Sequence, residues 1–407
     1  MKQSSFSALK FGALRIFLFG LFISTLGSTM QVVAVGWHVY ELTHSAISLG
    51  FLGIAGFVPI LIAFLPGGVI ADSFDRKKLL IVLQIIFGIG AFVLGISTVS
   101  HTITPMIIYL VLALNGFLLT ADLPARSAVI PLLVPDEYIF GAVSLNTLFR
   151  QIGSVVGPAL AGVCIALYGV QSVYFFNGVS FFVMLLALIL IHIPHITEKK
   201  PEVSLHAVFE GLRFIRHSPL LYSTMLIDFF VTFSASAVVL LPVFAKEVLH
   251  INVADLGLLY AAPPVGGVLA GFIFSGLGNV RHQGKILFAG ILLYALATIG
   301  FGISKSFILS IFCLILSGVG DMVSTVIRNA IRQINTPNEM RGRVGATSMV
   351  FFIGGPFLGD SEAGFAAGFL GAPLSVIIGG TAALIFTLGV WLKVPKLKNY
   401  HNAELTI

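Results

Sequence analysis

Charged side chains are scarce in this sequence of 407 residues: Lys, Arg, Asp and Glu make up 10% of it, against roughly 25% in ordinary soluble domains. Hydrophobic residues make up 57%. A water-soluble surface cannot be built from so few charges, so the composition excludes a soluble enzyme. It also excludes a transmembrane β-barrel, whose strands would read as alternating segments of about ten residues.

Cysteines are almost lacking as well. Cys164 and Cys313 both fall inside apolar runs, so we expect them to behave as small apolar side chains. This excludes a small secreted domain held together by disulfides. The sequence also lacks the G-x-x-x-x-G-K-[ST], H-E-x-x-H, C-x-x-C and G-x-S-x-G patterns. We therefore expect no enzyme activity, no cofactor and no bound metal.

Long apolar runs are what the sequence has in abundance. A helix needs about 20 apolar residues to cross the hydrocarbon layer of a membrane. Runs of this kind predict an all-α integral membrane protein with 12 transmembrane helices. These spans, numbered 1 to 12 in chain order, are predicted at residues 14–40, 47–70, 79–100, 103–125, 141–167, 171–192, 220–245, 254–277, 285–303, 307–330, 343–367 and 371–392.

Positive charge is distributed unequally between the two sides of the predicted spans. Seventeen Lys and Arg residues lie in the termini and the even-numbered connections, whereas the opposite side carries Lys246 and Lys305. Basic residues near span ends are retained in the cytoplasm, so both termini are predicted to be cytoplasmic. The net charge of +6 follows from this asymmetry and does not indicate a nucleic-acid partner.

The chain repeats itself at about half its length, as duplicated transporters do. We predict a six-helix bundle at residues 1–192 and a second at residues 220–407. Residues 193–219 are expected to be a cytoplasmic linker with an amphipathic helix in the lipid headgroup region. At an offset of 202, the residues that match are Gly116 with Gly318, Arg126 with Arg328, Pro135 with Pro337 and Glu137 with Glu339.

The loop after span 2 carries a compact charged motif. Gly68 permits close helix contact, and Asp72 lies one helical turn before Arg76, where the two can pair. The basic residues suit anionic headgroups. The segment reads Gly67-Gly68-Val69-Ile70-Ala71-Asp72-Ser73-Phe74-Asp75-Arg76-Lys77-Lys78.

This pattern resembles the loop signature of the major facilitator superfamily, G-x-x-x-D-x-x-[GD]-R-[RK]-[RK], in its usual place between spans 2 and 3. The resemblance implies that fold and a conformational latch. In the family the Asp rests against the N-terminus of a helix in the opposite half, so Asp72 would hold the cytoplasmic side closed. The corresponding loop at 276–285 lacks acidic residues, so the latch should be one-sided. The latch residues would be Gly68, Asp72, Asp75, Arg76 and Lys77.

Small residues and a proline stand in the middle of span 5. Gly153, Gly157, Pro158 and Gly162 predict close approach of neighbouring helices. The segment is similar to the glycine-proline motif of span 5 in the antiporter branch of the superfamily. Residues 354–359 of span 11 also combine glycines with a proline.

Several further segments resemble the enterobactin-exporter-like, or transmembrane secretion effector, subgroup over essentially the whole chain. They are residues 124–131, Leu145-Asn146 with Gln151, 210–216 and 359–364. The resemblance implies a bacterial inner-membrane protein that exports siderophores or other amphiphilic small molecules. It also implies coupling to the proton gradient and leaves the substrate open.

Ionisable side chains inside spans are costly, so each needs a partner or a task. Arg150 and Asp228 lie deep in their spans and are candidates for the substrate cavity. Gln31 and His38 are further cavity candidates, although a satisfied polar side chain explains them equally well. Gate or structural pairs are expected among Asp122, Arg126, Asp321, Arg328 and Arg332.

Proton coupling needs a carboxylate that can take up and release a proton, and loss of water favours the neutral form of such a group. Asp228, Asp360 and Glu362 are the candidates; the alternative is a buried ion pair or an exposed loop acid. Because Asp360 and Glu362 are two residues apart on a helix, only one is expected to face the pore.

The sequence therefore predicts a monomeric secondary transporter that exports a small amphiphilic molecule in exchange for protons. Its partners would be the solute, protons and membrane lipids. An importer or symporter of a polar nutrient is the alternative within the same fold. A lipid scramblase or a membrane-embedded signalling protein is the alternative from a different class, and a membrane enzyme has the least support.

Overall fold

The computed structural model describes residues 5–193, 205–276 and 281–401. Within them, side chains are not described at 5, 65–73, 205–209, 275–276, 338 and 346. The described chain is helical and contains no strand. The helices of spans 1 to 6 are Gly12–Thr43, Ala46–Ser73, Arg76–Val99, Pro105–Val129, Ile139–Tyr168 and Val170–Leu190. Those of spans 8 to 12 are Val253–Gly276, Gln283–Ile303, Phe307–Ile334, Arg341–Leu370 and Ala372–Lys393.

Span 7 differs from the other spans because its helix is broken. It consists of an α-helix at Pro219–Ser234, a 3-10 turn at Val238–Leu240, one helical turn at Leu241–Val243 and a π-helical turn at Phe244–Val248. Short 3-10 turns also lie at Ser5–Lys10, Ile130–Leu133, Asp136–Tyr138 and Asn338–Met340, and a last short helix lies at Pro395–Lys398.

Eleven segments of the described chain are long and apolar enough to cross a membrane, and they match the predicted spans except span 11. Span 11 has the length, with 30 residues, but it carries Arg341, Arg343, Asp360 and Glu362 and is therefore less apolar. The prediction of an all-α membrane fold is confirmed, and its 12 spans agree with the helices observed.

Glycines stop the helices of spans 5 and 11 at matching places of the two halves. Gly169 ends span 5 with φ of 79°, and Gly371 ends span 11 with φ of 84°. Side chains with a Cβ atom rarely adopt this left-handed region, which glycine enters without steric cost. The two glycines are 202 residues apart, the spacing of the repeat.

The chain forms two compact units. Unit 1 comprises Met1–Leu42, Val58–Val203 and Val253–Gly257, and unit 2 comprises Thr43–Phe57, Ser204–Asn252 and Leu258–Ile407. The first part of span 2 groups with unit 2, and the first turn of span 8 groups with unit 1. Small residues explain this exchange, since span 2 packs on span 11 through Gly50 and span 8 packs on span 5 through Gly257.

Each unit has its own apolar core. In unit 1, Leu14, Phe17 and Leu18 of span 1 pack with Leu80 of span 3 and Leu188 of span 6. In unit 2, the core joins spans 7, 9 and 10 to the short helix near the C-terminus through Ile227, Leu287, Ile291, Ile331 and Leu397.

The linker helix, Leu205–His217, packs on protein over the part whose side chains are described. Ile215 is buried with Leu221 and Met225 of span 7 and Val344 of span 11. Glu210 forms an ion pair with Arg343, at 2.5 Å. On the apolar face, Ile215 therefore packs on protein, whereas Leu212 is 40% exposed. The expected position of this helix in the lipid headgroup region stays a prediction.

Candidate functional site

The break in span 7 exposes backbone groups in the middle of unit 2. Helix Pro219–Ser234 ends where the amide of Ala235 bonds to the carbonyl oxygen of Val231, at 3.0 Å. Helical hydrogen bonding resumes at Val238. The carbonyl oxygen of Ala235 accepts a hydrogen bond from the Tyr294 hydroxyl, at 3.1 Å. Backbone groups freed inside a membrane need such partners, so Tyr294 stabilises the break.

Glycines of span 11 pack directly against the broken part of span 7. A Cβ atom added to Gly355 would overlap the hydroxyl of Thr232, and one added to Gly359 would lie 2.8 Å from the carbonyl oxygen of Thr232. Both contacts are too short for any residue but glycine. The packing therefore fixes the position of span 11 relative to the break.

Asp360, the residue after Gly359 on span 11, faces the break in span 7. The hydroxyl of Ser236, in the non-helical segment, donates a short hydrogen bond to the carboxylate of Asp360. Tyr260 and Tyr294 lie close enough to interact with this carboxylate electrostatically. In the part of the chain that is described, no basic side chain lies within 4.0 Å of Asp360. Glu362, two residues further, is half-buried.

Asp228 has the opposite surroundings. It is 1% exposed and forms ion pairs with Arg328, at 2.9 Å, and Arg332, at 3.3 Å. Asp321 lies 4.0 Å from Arg328, and its side chain is 51% exposed. Arg328 and Arg332 of span 10, expected among the gate or structural pairs, thus share a carboxylate that span 7 supplies.

Unit 1 holds a smaller polar cluster on spans 3 and 4. Asp122 and Arg126, predicted as a pair, form an ion pair with an N to O distance of 2.6 Å. Gln84 bonds to both, since its amide nitrogen donates to Asp122 and its amide oxygen accepts from Arg126, each at 3.1 Å. Asp122 and Gln84 are buried. Nothing in the sequence pattern indicated Gln84, because it lies on a different span.

The polar residues of span 1 face span 6. The side chain of Asn177 donates to the Gln31 amide oxygen, at 2.7 Å, and His38 bonds to the Tyr174 hydroxyl, at 3.1 Å. Gln31 and His38 are both buried. The structure therefore gives them protein partners in place of an open cavity. Arg150, the remaining cavity candidate, has an exposed side chain on span 5.

The loop motif after span 2 is described from Phe74 onwards; the side chains of Gly68 and Asp72 lie outside the described residues. Asp75 caps span 3, because its carboxylate accepts a hydrogen bond from the backbone amide of Lys78, at 2.9 Å. The ammonium group of Lys77 donates to the carbonyl oxygens of Ile189 and Ile191, at 3.2 and 2.7 Å. Lys77 therefore binds the end of span 6, and its expected contact with lipid headgroups stays a prediction.

The packing motif of span 5 contacts two helices within unit 1. A Cβ atom added to Gly153 would lie 3.0 Å from the Thr25 side chain, and one added to Gly157 would lie 3.0 Å from the carbonyl oxygen of Leu26. Thr29 donates a hydrogen bond to the carbonyl oxygen of Gly153, at 3.1 Å. Further along, Gly162 packs on span 8.

Among the described residues, no group of three or more His, Cys, Asp or Glu side chains is arranged to hold a metal ion. What the described spans offer is a set of polar and charged groups buried between helices. Such groups line solute and ion pathways in membrane transporters.

The helical architecture is shared with solved transporter structures of low sequence identity. A bacterial homolog of the human lysosomal transporter Spinster, in an inward-facing and unoccupied conformation, superposes with a TM-score of 0.75 at 14% identity, covering 96% of this chain and 98% of that one. A D-xylose-proton symporter superposes with a TM-score of 0.67 at 16% identity, covering 98% of this chain and 100% of that one. These similarities establish the fold.

The sequence profile of the transmembrane secretion effector family matches residues 3–406, and the chain belongs to this family. Among its relatives are the enterobactin exporters EntS of Citrobacter koseri and of Salmonella typhi. Each is 27% identical to this chain, over 394 and 393 residues, with 96% of this chain and 94% of the relative covered. The protein is a multi-pass bacterial membrane transporter and not an enzyme, as the sequence predicted.

Proposed function

We propose that this protein exports a small amphiphilic molecule, of the siderophore or drug-like class, in exchange for protons by alternating access. Export and the substrate class are supported by the relatives named as enterobactin exporters. Proton exchange is supported by one observation, the carboxylate of Asp360 at the break of span 7.

The surroundings of Asp360 suit a group that binds and releases a proton. A carboxylate without a cationic partner is costly to keep ionised inside a membrane, and protonation removes that cost. The Ser236 hydroxyl can donate to the ionised form and accept from the protonated form, so it can serve both states. In this proposal Asp360 is protonated on the extracellular side and releases its proton on the cytoplasmic side.

Asp228 and Glu362 have weaker support as proton carriers. Asp228 forms ion pairs with two guanidinium groups, so we assign it to a structural charge cluster. Glu362 is half-buried and lies on a different face of span 11 from Asp360. The latch role of Asp72, implied by family resemblance, also belongs to this proposal.

Transport into inverted membrane vesicles tests the proposal, with enterobactin as the probe. We expect uptake driven by an inwardly acidic pH gradient and abolished by a protonophore. Asp360→Asn should lose the dependence on the gradient, because the amide cannot exchange a proton. Asp136→Asn is the matched control, since Asp136 is an exposed carboxylate outside the spans.

Three results would contradict the proposal. Uptake that a protonophore leaves unchanged would reject proton coupling, and full coupling in Asp360→Asn would reject that residue. Substrate movement in the opposite direction under the same gradient would favour an importer or symporter. Lipid movement between leaflets without any gradient, in place of solute uptake, would favour a scramblase.

A further inference from the structure

A cavity of about 570 Å³ lies in unit 2 between the last turns of span 10 and the first turns of span 11. By the distribution of positive charge, this end of both helices faces the cytoplasm. Its volume falls in the range of sites for drug-sized ligands, roughly 300–1,000 Å³. The residues that line it are Asn329, Arg332, Gln333, Thr336, Arg341, Val344, Gly345, Ser348, Met349 and Phe352.

The charge of this cavity has one sign. Its wall includes Arg332 and Arg341, and none of the described residues that line it is acidic. Arg332 is buried and shares the carboxylate of Asp228 with Arg328, so two cations depend on one buried anion. Asp321, an acid on the same span as Arg328, lies beside it and is half exposed. The cavity wall thus has positive charge that no lining side chain neutralises.

The remaining wall is divided between polar and apolar groups. The amide side chains of Asn329 and Gln333 can donate hydrogen bonds to oxygen atoms. The hydroxyls of Thr336 and Ser348 already donate to the carbonyl oxygens of Arg332 and Val344. Val344, Met349 and Phe352 form an apolar portion, and Phe352 is 52% exposed. An aromatic ring and a thioether suit flat or irregular apolar bodies. A ligand that satisfies both portions needs an anionic oxygen group attached to an apolar body.

We propose that this cavity is a binding site for an amphiphilic organic anion, held by Arg332 and Arg341 through its charged end and by Met349 and Phe352 through its apolar end. The inference rests on the proposed export function, in which this anion is the solute taken up from the cytoplasm. Guanidinium groups bind carboxylate, sulfonate or phenolate oxygens strongly because the hydrogen bonds are charge-assisted. Arg341, which is exposed, would be the first group to meet the anion.

Protection of an introduced thiol tests the site without requiring transport. In a background with Cys164→Ala and Cys313→Ala, Ser348→Cys places a reactive thiol in the cavity wall. Labelling by a maleimide is followed in inverted vesicles with no pH gradient. We expect naphthalene-2-sulfonate to slow labelling at least fivefold, and naphthalene-2-sulfonamide, the neutral molecule with the same ring, to have much less effect.

Charge variants test the role assigned to Arg341. Arg341→Gln should raise the sulfonate concentration needed for half protection about tenfold, whereas Arg341→Lys should recover part of the loss. Arg213→Gln is the matched control, because it removes an exposed positive charge on the linker helix away from the lining residues. Ser144→Cys, at the cytoplasmic end of span 5, reports general effects on labelling.

Each other outcome counts against the proposal. Equal protection by the sulfonate and the sulfonamide would show an apolar site without anion selectivity. Protection that is unchanged in Arg341→Gln would place the anion elsewhere. A thiol already protected in vesicles with phosphatidylglycerol, but accessible in pure phosphatidylcholine, would assign the cavity to lipid headgroups. Binding is measured without a pH gradient. A negative result would therefore reject this binding site and would not by itself reject proton-driven export.

Discussion

Gly162 of span 5 packs on Gly257 of span 8 so closely that a Cβ atom added to either residue would lie 3.0 Å from the Cα atom of the other. The same relationship recurs between Gly364 and Gly50, where an added Cβ atom would overlap the partner's backbone. Gly162 and Gly364 are 202 residues apart, the offset of the sequence repeat. The two halves of the sequence repeat therefore share a close glycine contact at this position of spans 5 and 11.

The first prediction concerns this contact. Gly162→Ala should destabilise the protein by about 1–3 kcal/mol, because the new methyl group would lie 2.7 Å from the carbonyl oxygens of Val253 and Ala254, which belong to backbone and cannot swing away. Thermal unfolding in detergent measures the change. Gly389→Ala is the matched control, since no atom lies within 4 Å of a Cβ atom there. Equal melting temperatures for the two variants would refute the packing argument.

The buried charge cluster of unit 2 yields a second prediction. Arg328→Met should cost about 3–5 kcal/mol, because Asp228 would keep its burial and lose its closer cation. Arg328→Met combined with Asp228→Asn should recover part of the loss, since the unpaired anion is removed as well. Chemical unfolding in mixed micelles compares the single and double variants. A double variant less stable than Arg328→Met alone would contradict the assignment of Asp228 to a structural cluster.

The third prediction tests Lys77 as a cap of span 6. Lys77→Met should lower stability by about 1 kcal/mol, because two carbonyl oxygens would lose their donor and the site is partly exposed. Lys78→Met is the control, because it removes a neighbouring positive charge that is exposed. Thermal unfolding of the two variants in the same detergent decides between a cap and a general effect of charge, which would shift both alike.

The fourth prediction concerns backbone strain after span 3. His101 has φ of 57°, in the left-handed region that costs a residue with a Cβ atom about 1–2 kcal/mol. His101→Gly should therefore raise the melting temperature. His192→Gly should not, since His192 is not among the described residues with positive φ. A lower melting temperature for His101→Gly would show that the side chain contributes more than the strain removes.

The candidate site could be predicted only in part. The sequence singled out Asp360 as an acid inside a span, and Asp122 with Arg126 as a pair one turn apart. Ser236 and Tyr294 gave no signal, because each acquires its role from a break in span 7 that alters neither hydropathy nor spacing. The glycine series of span 5 and span 11 was available as a signal: Gly153, Gly157 and Gly162 recur 202 residues later.

Burial also favours one of two alternatives that the sequence left open for three residues. Gln31 and His38 were candidates for an open cavity, yet Asn177 and Tyr174 of span 6 occupy their polar atoms. Asp228 was a candidate proton carrier, yet two arginines of span 10 surround it. In each case the partner lies on a helix that is distant in the sequence. The sequence could not identify it, because one amphipathic pattern is compatible with several neighbouring helices.

The sequence by itself determined the membrane fold, the number and order of the spans and the family. These properties depend on local composition, because apolar length sets a span and short motifs can be recognised within one helix. Only the tertiary structure decided which acid inside a span has a basic side chain within 4.0 Å in the described part of the chain and which does not. That outcome depends on helices far apart in the chain, whose packing places Asp228 between two arginines and leaves Asp360 with a serine.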